Sequence, residues 1–191
     1  MTTKPPRPRH ADVAADPRRL SRATQPLVGL LRQLADVIAR LHDAQYTQTP
    51  VGAMAGSVGG HVRHCLDHVR LLLVSVKTGH LDYDDRQRNT PVECSRCCAL
   101  SEIDELVAHL LHLPVDTMDR PVRLRALLNS TDEPVEVETS VGRELAFVLS
   151  HTIHHDALIG AMVRTLGGWL PEQFGYAPST IKHLEASECV R

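Results

Sequence analysis

Aromatic side chains, excess charge and long apolar runs are all scarce in this sequence of 191 residues. It contains two Phe, three Tyr and one Trp, and its formal net charge is -2. The chain therefore offers neither a strongly cationic surface for phosphates nor many rings for stacking bases, which disfavours nucleic-acid binding. No segment approaches the ~20 apolar residues of a membrane span, and no apolar signal core follows the basic N-terminus. We therefore expect a cytoplasmic protein that binds neither nucleic acid nor membranes.

The five cysteines are an odd number, and without a secretory signal we expect them to be reduced. The segment "CSRCC" at residues 94–98 contains one C-x2-C pair, but no second pair follows at zinc-finger spacing. We therefore interpret these cysteines as thiols in a loop. The hydrophobic content of 42% is enough for a single core. Residues 1–20 are rich in Pro, Arg and Ala and predict a disordered tail, which leaves 21–191 as one domain.

Apolar periodicity predicts three long helices and a shorter one. The first is expected within residues 25–47, where aliphatic side chains recur at 3.6-residue spacing. The second is expected to start after an N-cap at Ser57, and the last after an N-cap at Ser140, because serine favours helix starts. Glycines at 79 and 167–168 mark where these two helices end. The shorter helix is predicted over residues 101–113.

The remaining segments predict loops and one β-hairpin. Apolar and polar residues alternate on both sides of residues 129–133, which indicates two paired strands. Residues 80–100 are polar and charged, and we interpret them as a long connection of a length that is often functional. After the last helix, we expect three aromatic residues to pack over one end of the bundle: Trp169, Phe174 and Tyr176.

Six of the twelve histidines lie in two short windows. The first is "GGHVRHCLDH" at residues 59–68, and the second is "SHTIHHDALIG" at residues 150–160. A pair of histidines on a helix often only satisfies its hydrogen bonds within a core, so either window alone is a moderate signal. Two such windows on different helices favour a shared site.

On the last helix, His151 and His155 are one turn apart on the same side, near the edge of the apolar face. His154 falls about 100° from His155, towards the polar face. An H-x3-H pair on one helical face can supply two adjacent metal ligands. Glu144 projects two turns before His151 on nearly the same line, so it is a further ligand or a partner that orients one.

On the second helix, His61, His64 and His68 fall within about 60° of one another. One of them, together with His151 and His155, would place three imidazoles between two facing helices and leave open positions for water or substrate. Spacing alone does not choose among the three, although His61 is nearest the middle of the apolar arc.

The order of these elements, with a "SVGGHVRHCLDH" helix and an "HTIHH" helix, resembles the DinB-like (YfiT-like) superfamily over residues 22–166. The resemblance implies an all-α four-helix bundle with a small β-hairpin insertion before the last helix. In that family a Ser or Thr precedes the second-helix ligand by seven residues, which carries the role from Ser57 to His64. The H-x3-H pair maps onto His151 and His155. The implied metal ligands are His64, His151 and His155, with His61, His68, Glu144 and His154 as alternate ligands or as residues that orient them.

The same resemblance implies a function. Members of the superfamily include transferases and isomerases that use low-molecular-weight thiols such as mycothiol or bacillithiol. We therefore expect a divalent metal ion, Zn before Ni or Fe, and a small-molecule substrate. The expected activity is that of a thiol-dependent transferase or a metal-dependent hydrolase. The alternative is a non-catalytic metal-binding or stress-associated bundle, and a homodimer through exposed helix faces is a further expectation.

Metal binding through histidine predicts a dependence on pH. Only neutral imidazole can donate its lone pair, and its ordinary pKa is ~6.5, so the apparent affinity should fall as pH drops from about 7 to about 5. We expect the fold to outlast the metal, because long amphipathic helices can close a core without it.

Overall fold

A computed structural model describes residues 17–50 and 56–188 of the chain. Its helices, in chain order, are α1 (Pro17–Arg40), α2 (Asp43–Thr47), α3 (Val58–Thr78), α4 (Arg96–Leu111), α5 (Val141–Thr165) and α6 (Pro178–Glu188). The four longest, α1, α3, α4 and α5, pack around one apolar core. The predicted four-helix bundle is therefore confirmed. Among the described residues, no helix has both the length and the apolar character needed to cross a membrane.

The caps of the two histidine-bearing helices match the sequence prediction. The Ser57 hydroxyl accepts a hydrogen bond from the Gly60 amide at the start of α3, and Ser140 does the same for Arg143 at the start of α5. Gly79 ends α3 with φ of 72°, a left-handed conformation that favours glycine. These local contacts fix where both helices begin.

Several predicted boundaries are wrong, and the single helix expected within residues 25–47 is divided between α1 and α2. Helix α1 begins at Pro17, so residues 17–20 lie in a helix and not in the predicted tail, while residues 1–16 lie outside the described residues. Proline is well tolerated at a first helical position, and Leu20 is buried, which explains the early start. Helix α4 also starts early, because Ser95 caps the Cys98 amide. Most of "CSRCC" is therefore a first helical turn and not a loop.

A three-stranded sheet lies beside the bundle. The predicted hairpin is confirmed as β2 (Pro121–Ala126) and β3 (Val135–Ser140), which are antiparallel. The third strand, β1 (His80–Asp82), runs parallel to β2 and lies in the segment predicted as a long connection. Its partner is some forty residues away in the register Leu81↔Leu124, so no local pattern indicated it. This strand fixes the start of the segment that reaches the histidines.

Aromatic residues occupy positions of two kinds. Tyr46 and Phe174 are fully buried in the core. Trp169 and Tyr176 are about half exposed, and the Arg40 guanidinium lies 4.1 Å from the centre of the Trp169 ring. Of the three aromatic residues expected to pack over the end of the bundle, Phe174 is therefore the one that enters the core.

Candidate metal centre

The two histidine windows meet where α3 packs against α5. The ring centres of His68 and His151 are 4.1 Å apart, and those of His64 and His155 are 4.5 Å apart. His154 is exposed, with its ring edge-on to His155. Five rings from the two helices form what we call the histidine cluster: His61, His64, His68, His151 and His155.

Ring nitrogens face one another across this helix pair. His64 Nε2 lies 2.9 Å from His151 Nε2, and His61 Nδ1 lies 3.0 Å from His155 Nδ1. A neutral imidazole has one N–H and one lone pair, so in each pair one ring donates and the other accepts. Two ring-to-ring contacts of this kind therefore join α3 to α5.

His68 has the orientation expected of a metal ligand. Its Nδ1–H donates to the backbone carbonyl of His64 at 2.9 Å, which leaves the lone pair on Nε2. Metal-binding histidines usually direct their second nitrogen to such an acceptor. His64, His68 and His151 each offer one ligand atom, and these atoms lie within 4.8 Å of one another. This donor set fits a divalent ion.

The predicted ligand set overlaps with this group but differs in one member. His64 and His151 belong to both, whereas His155 adjoins the group and its Nδ1 is engaged with His61. His68 was an alternate by sequence, and it is nearly fully buried. The assignment of His64, His151 and His155 stays a prediction, and the arrangement of donor atoms favours His68 over His155 as the third ligand.

Glu144 is connected to the cluster through Tyr83. It is fully buried and accepts hydrogen bonds from Tyr83 Oη at 3.1 Å and Thr139 Oγ1 at 2.8 Å. The Tyr83 ring stacks on His68, with centres 4.8 Å apart and planes at 14°. Phe147 adds a third ring beside these two. Glu144 therefore anchors the ring that orients His68, and its role as a direct ligand stays a prediction.

Burial favours the neutral form of four rings of the cluster. Burial and, to a smaller extent, the neighbouring histidines lower the pKa of His64 to about 2, that of His151 to about 3 and that of His155 to about 4. Burial also lowers the pKa of His68. Protons should therefore compete with a metal at lower pH than the expected window of about 7 to about 5, which assumed ordinary histidines.

Charged groups surround the cluster. Arg86 Nη1 lies 2.6 Å from His64 Nδ1, and its charge contributes to the lowered pKa of His64. Asp67, one residue before His68, is buried and pairs with Arg63 and Arg70. Residues 80–100 were predicted to form a charged connection of a length that is often functional, but no sequence pattern indicated that Tyr83 and Arg86 belong to the site.

A separate groove of about 1010 Å³ lies between α3 and α4. Its lining includes Lys77, Cys98, Glu105 and His109, but none of the cluster histidines. Cys65, Cys94, Cys97 and Cys98 are free thiols, as expected, and Cys189 lies outside the described residues. The thiols at this groove do not join the cluster.

Comparisons with known proteins point to a family. The sequence profile of the DinB superfamily matches residues 27–159, which include both histidine windows up to Ile159. A solved DinB-like protein of Bacillus subtilis, YjoA, superposes with a TM-score of 0.59 over 80% of this chain and 98% of that one. The two sequences are 18% identical, so this likeness shows the fold alone.

A curated relative is more similar in sequence over a shorter stretch. FK506-binding protein 5 of Rhizopus delemar is 36% identical over 106 residues, which make up 55% of this chain. The match spans 28% of that protein, so the chain corresponds to a minor part of its length.

Proposed function

Because the chain belongs to the DinB superfamily, we propose that its histidine cluster binds a divalent metal ion and serves a thiol-dependent transferase reaction. The observation that carries the proposal is the convergence of His64, His68 and His151 within 4.8 Å of one another in a half-buried setting. Imidazole suits Zn, Ni and Fe, and we place Zn first because three histidines that leave one position open are a common arrangement of catalytic zinc sites.

The charge of the site supports an anionic co-substrate. Burial lowers the pKa of His64, His68, His151 and His155 and so favours their neutral form, so these ligands would leave the charge of a divalent ion uncompensated. Arg86 adds a further positive charge at His64. A divalent ion in such a site lowers the pKa of a bound thiol or water and so supplies a nucleophile at neutral pH. A thiolate would bind the metal ion, and its negative charge would balance the positive charge of the ion and of Arg86.

The protein's own side chains hold the site in shape. His68 is fixed by the His64 carbonyl on one side and by the Tyr83 ring on the other. Phe147 stacks on His151, with ring centres 5.7 Å apart, and excludes water from that side. Rigid orientation of ligands by such neighbours is typical of metal sites.

The experiment is elemental analysis of the purified protein with a thiol-transfer screen on the same batch. We expect one divalent ion per chain and consumption of a small thiol together with an electrophile. His64→Ala and His151→Ala should lose the ion, and His154→Ala is the matched control on an exposed ring. A wild-type protein that binds no divalent ion would overturn the proposal.

Other outcomes separate the alternatives. Hydrolysis of an ester without a thiol would indicate a metal-dependent hydrolase, and stoichiometric metal without turnover would indicate a non-catalytic binding protein. Comparing His68→Ala with His155→Ala decides the third ligand. From the position of His68 we expect His68→Ala to lose the ion, while His155→Ala retains it with weaker affinity.

A further inference from the structure

Arg86 reaches the histidine cluster from outside the two helices that carry it. It lies four residues after β1, and its side chain is 20% exposed. Its Nη1 lies 2.6 Å from His64 Nδ1. A guanidinium group stays protonated and has no lone pair to offer, so Arg86 is the donor and His64 Nδ1 is the acceptor.

This contact fixes the tautomer of His64. A neutral imidazole with its lone pair on Nδ1 carries its proton on Nε2. His64 Nε2 then donates to His151 Nε2, which lies 2.9 Å away. In this arrangement His64 has no free lone pair with which to bind a metal ion.

Metal binding at His64 must therefore displace Arg86. An ion on Nε2 requires the ring proton to be on Nδ1, where it would face the N–H groups of Arg86, and two donors cannot satisfy each other. An ion on Nδ1 would need the lone pair that Arg86 occupies. The guanidinium has to leave His64 in both cases.

A displaced Arg86 guanidinium would have N–H donors without hydrogen-bond acceptors. Its Nε is buried and has no hydrogen-bond partner among the described residues. Its Nη2 has Asp84 Oδ1 at 3.8 Å, which is beyond hydrogen-bond distance. Displacement from His64 adds Nη1 to these donors, beside a cluster that would then also hold a divalent cation.

We propose that Arg86 is the anion-binding residue of the histidine cluster and exchanges His64 for a carboxylate of the small-molecule ligand when the metal binds. The planar guanidinium matches carboxylate geometry, and the carboxylate that it pairs with, Asp84, is too distant for a hydrogen bond. The inference rests on the proposed metal function of the cluster and adds a substrate class to it.

The first test measures zinc affinity by calorimetry on the full chain. Arg86→Ala should bind zinc about tenfold more tightly than the wild type, because zinc no longer has to break a charged hydrogen bond. Arg86→Met, whose side chain is long but uncharged, should show the same increase in zinc affinity. Arg88→Ala, an exposed arginine two residues further along, is the control and should change nothing.

Nitrogen-15 NMR of the histidine rings provides a second readout. Metal-free wild type should show His64 protonated on Nε2, and zinc-loaded protein should show the proton on Nδ1. Zinc affinity that is unchanged or weaker in both Arg86 variants overturns this inference alone. Absence of zinc binding by the wild type overturns the proposed function as well.

The second test uses zinc-loaded protein and two small thiols that differ in a carboxylate. The wild type should bind mercaptoacetate about tenfold more tightly than 2-mercaptoethanol, and Arg86→Ala should lose this preference. Acetate added with 2-mercaptoethanol shows whether the carboxylate can also come from a second molecule. Equal affinity for both thiols in the wild type, or a preference that persists in Arg86→Ala, overturns the assignment.

Discussion

The two helix pairs of the bundle bury different chemistry. Among the described residues of α1 and α4, every buried side chain is uncharged, and nearly all are aliphatic. The facing pair, α3 and α5, buries five ionisable groups in the same core: Cys65, Asp67, His68, Glu144 and Asp156. A buried ionisable group costs free energy unless it is paired or neutral. The buried faces of α1 and α4 therefore mainly stabilise the fold. The polar site between α3 and α5 forms at some cost in stability.

Within the polar pair, the buried carboxyl groups differ in whether they have partners. Asp67 is paired with two arginines, and Glu144 with Arg143 and two hydroxyl donors, so these carboxylates are compensated. Neither carboxylate oxygen of Asp156 has a hydrogen-bond partner in the described part of the chain. Burial raises the pKa of Asp156 well above its ordinary value, which favours a neutral carboxyl group. The polar pair thus contains both compensated and uncompensated groups.

The largest effect on stability is expected in the aliphatic pair. Leu31 of α1 is fully buried, so Leu31→Ala should lower the free energy of unfolding by about 2–5 kcal/mol through lost contacts and a cavity. The adjacent Leu30→Ala, at a partly exposed position, is the control and should cost less. Urea denaturation measures both, and elemental analysis should show unchanged metal content. A loss of metal from Leu31→Ala with the fold intact would break the division between the pairs.

A smaller loss is expected from the compensated carboxylate. Asp67 is 1% exposed, and it pairs with Arg63 at 2.5 Å and with Arg70. Asp67→Ala should lower the free energy of unfolding by about 2 kcal/mol, because both arginines lose a charged partner and remain partly exposed to water. Asp104→Ala, at an exposed position on α4, is the control. If the two variants unfold at the same urea concentration, the pairing contributes nothing.

The third prediction concerns acid. The folded pKa values of about 2 for His64 and about 3 for His151 lie below the ordinary ~6.5 of the unfolded chain. The unfolded state then binds more protons, so the metal-free protein should lose stability as pH falls from about 6.5 towards those folded values. Each histidine contributes a slope of at most about 1.4 kcal/mol per pH unit.

His64→Ala should therefore give a shallower acid dependence than wild type in chelator-treated samples. His154→Ala, which removes an exposed ring, is the matched control and should keep the wild-type slope. Urea titrations at several pH values measure the slope. If His64→Ala and wild type have parallel curves, the lowered pKa of His64 is not a source of the acid sensitivity.

The smallest effect is a gain in stability. The raised pKa of Asp156 means that its contribution to stability is fully present below the unfolded value of about 3.8 and is lost as pH rises through the folded value. Asn cannot ionise, so Asp156→Asn should stabilise the metal-free protein by up to about 1 kcal/mol at pH 8 and less at pH 4. Asp36→Asn, at an exposed position on α1, is the control. A destabilised Asp156→Asn at pH 8 would show that the carboxylate is compensated by a partner.

Most of the fold could be predicted from the sequence, because its signals are local. The serine caps and aliphatic periodicity gave α3 and α5 within a residue at each end. The hairpin followed from alternation on both sides of a polar turn. Strand β1 could not be predicted, since its three residues gain their structure from a partner distant in sequence. The early start of α4 was missed because "CSRCC" carries no apolar period.

The candidate site was predicted in part. His64 and His151, which lie on two helices that meet, were predicted as metal ligands. His68 was predicted as an alternate ligand. The angular reading placed His61 nearest the core, whereas His68 is the most buried of the three. A helical wheel fixes angles between residues of one helix, but not the rotation of that helix against its neighbours.

The sequence by itself determined which residues share a helical face, because a fixed rotation per residue aligns His151 with His155 and groups the histidines of α3. The tertiary structure alone decided which faces meet and what approaches them from elsewhere. Packing of α3 on α5 places His64 Nε2 2.9 Å from His151 Nε2. Pairing of β1 with β2 positions the segment that carries Tyr83 and Arg86. These contacts join residues far apart in the chain, and their geometry depends on how whole elements pack rather than on any local pattern.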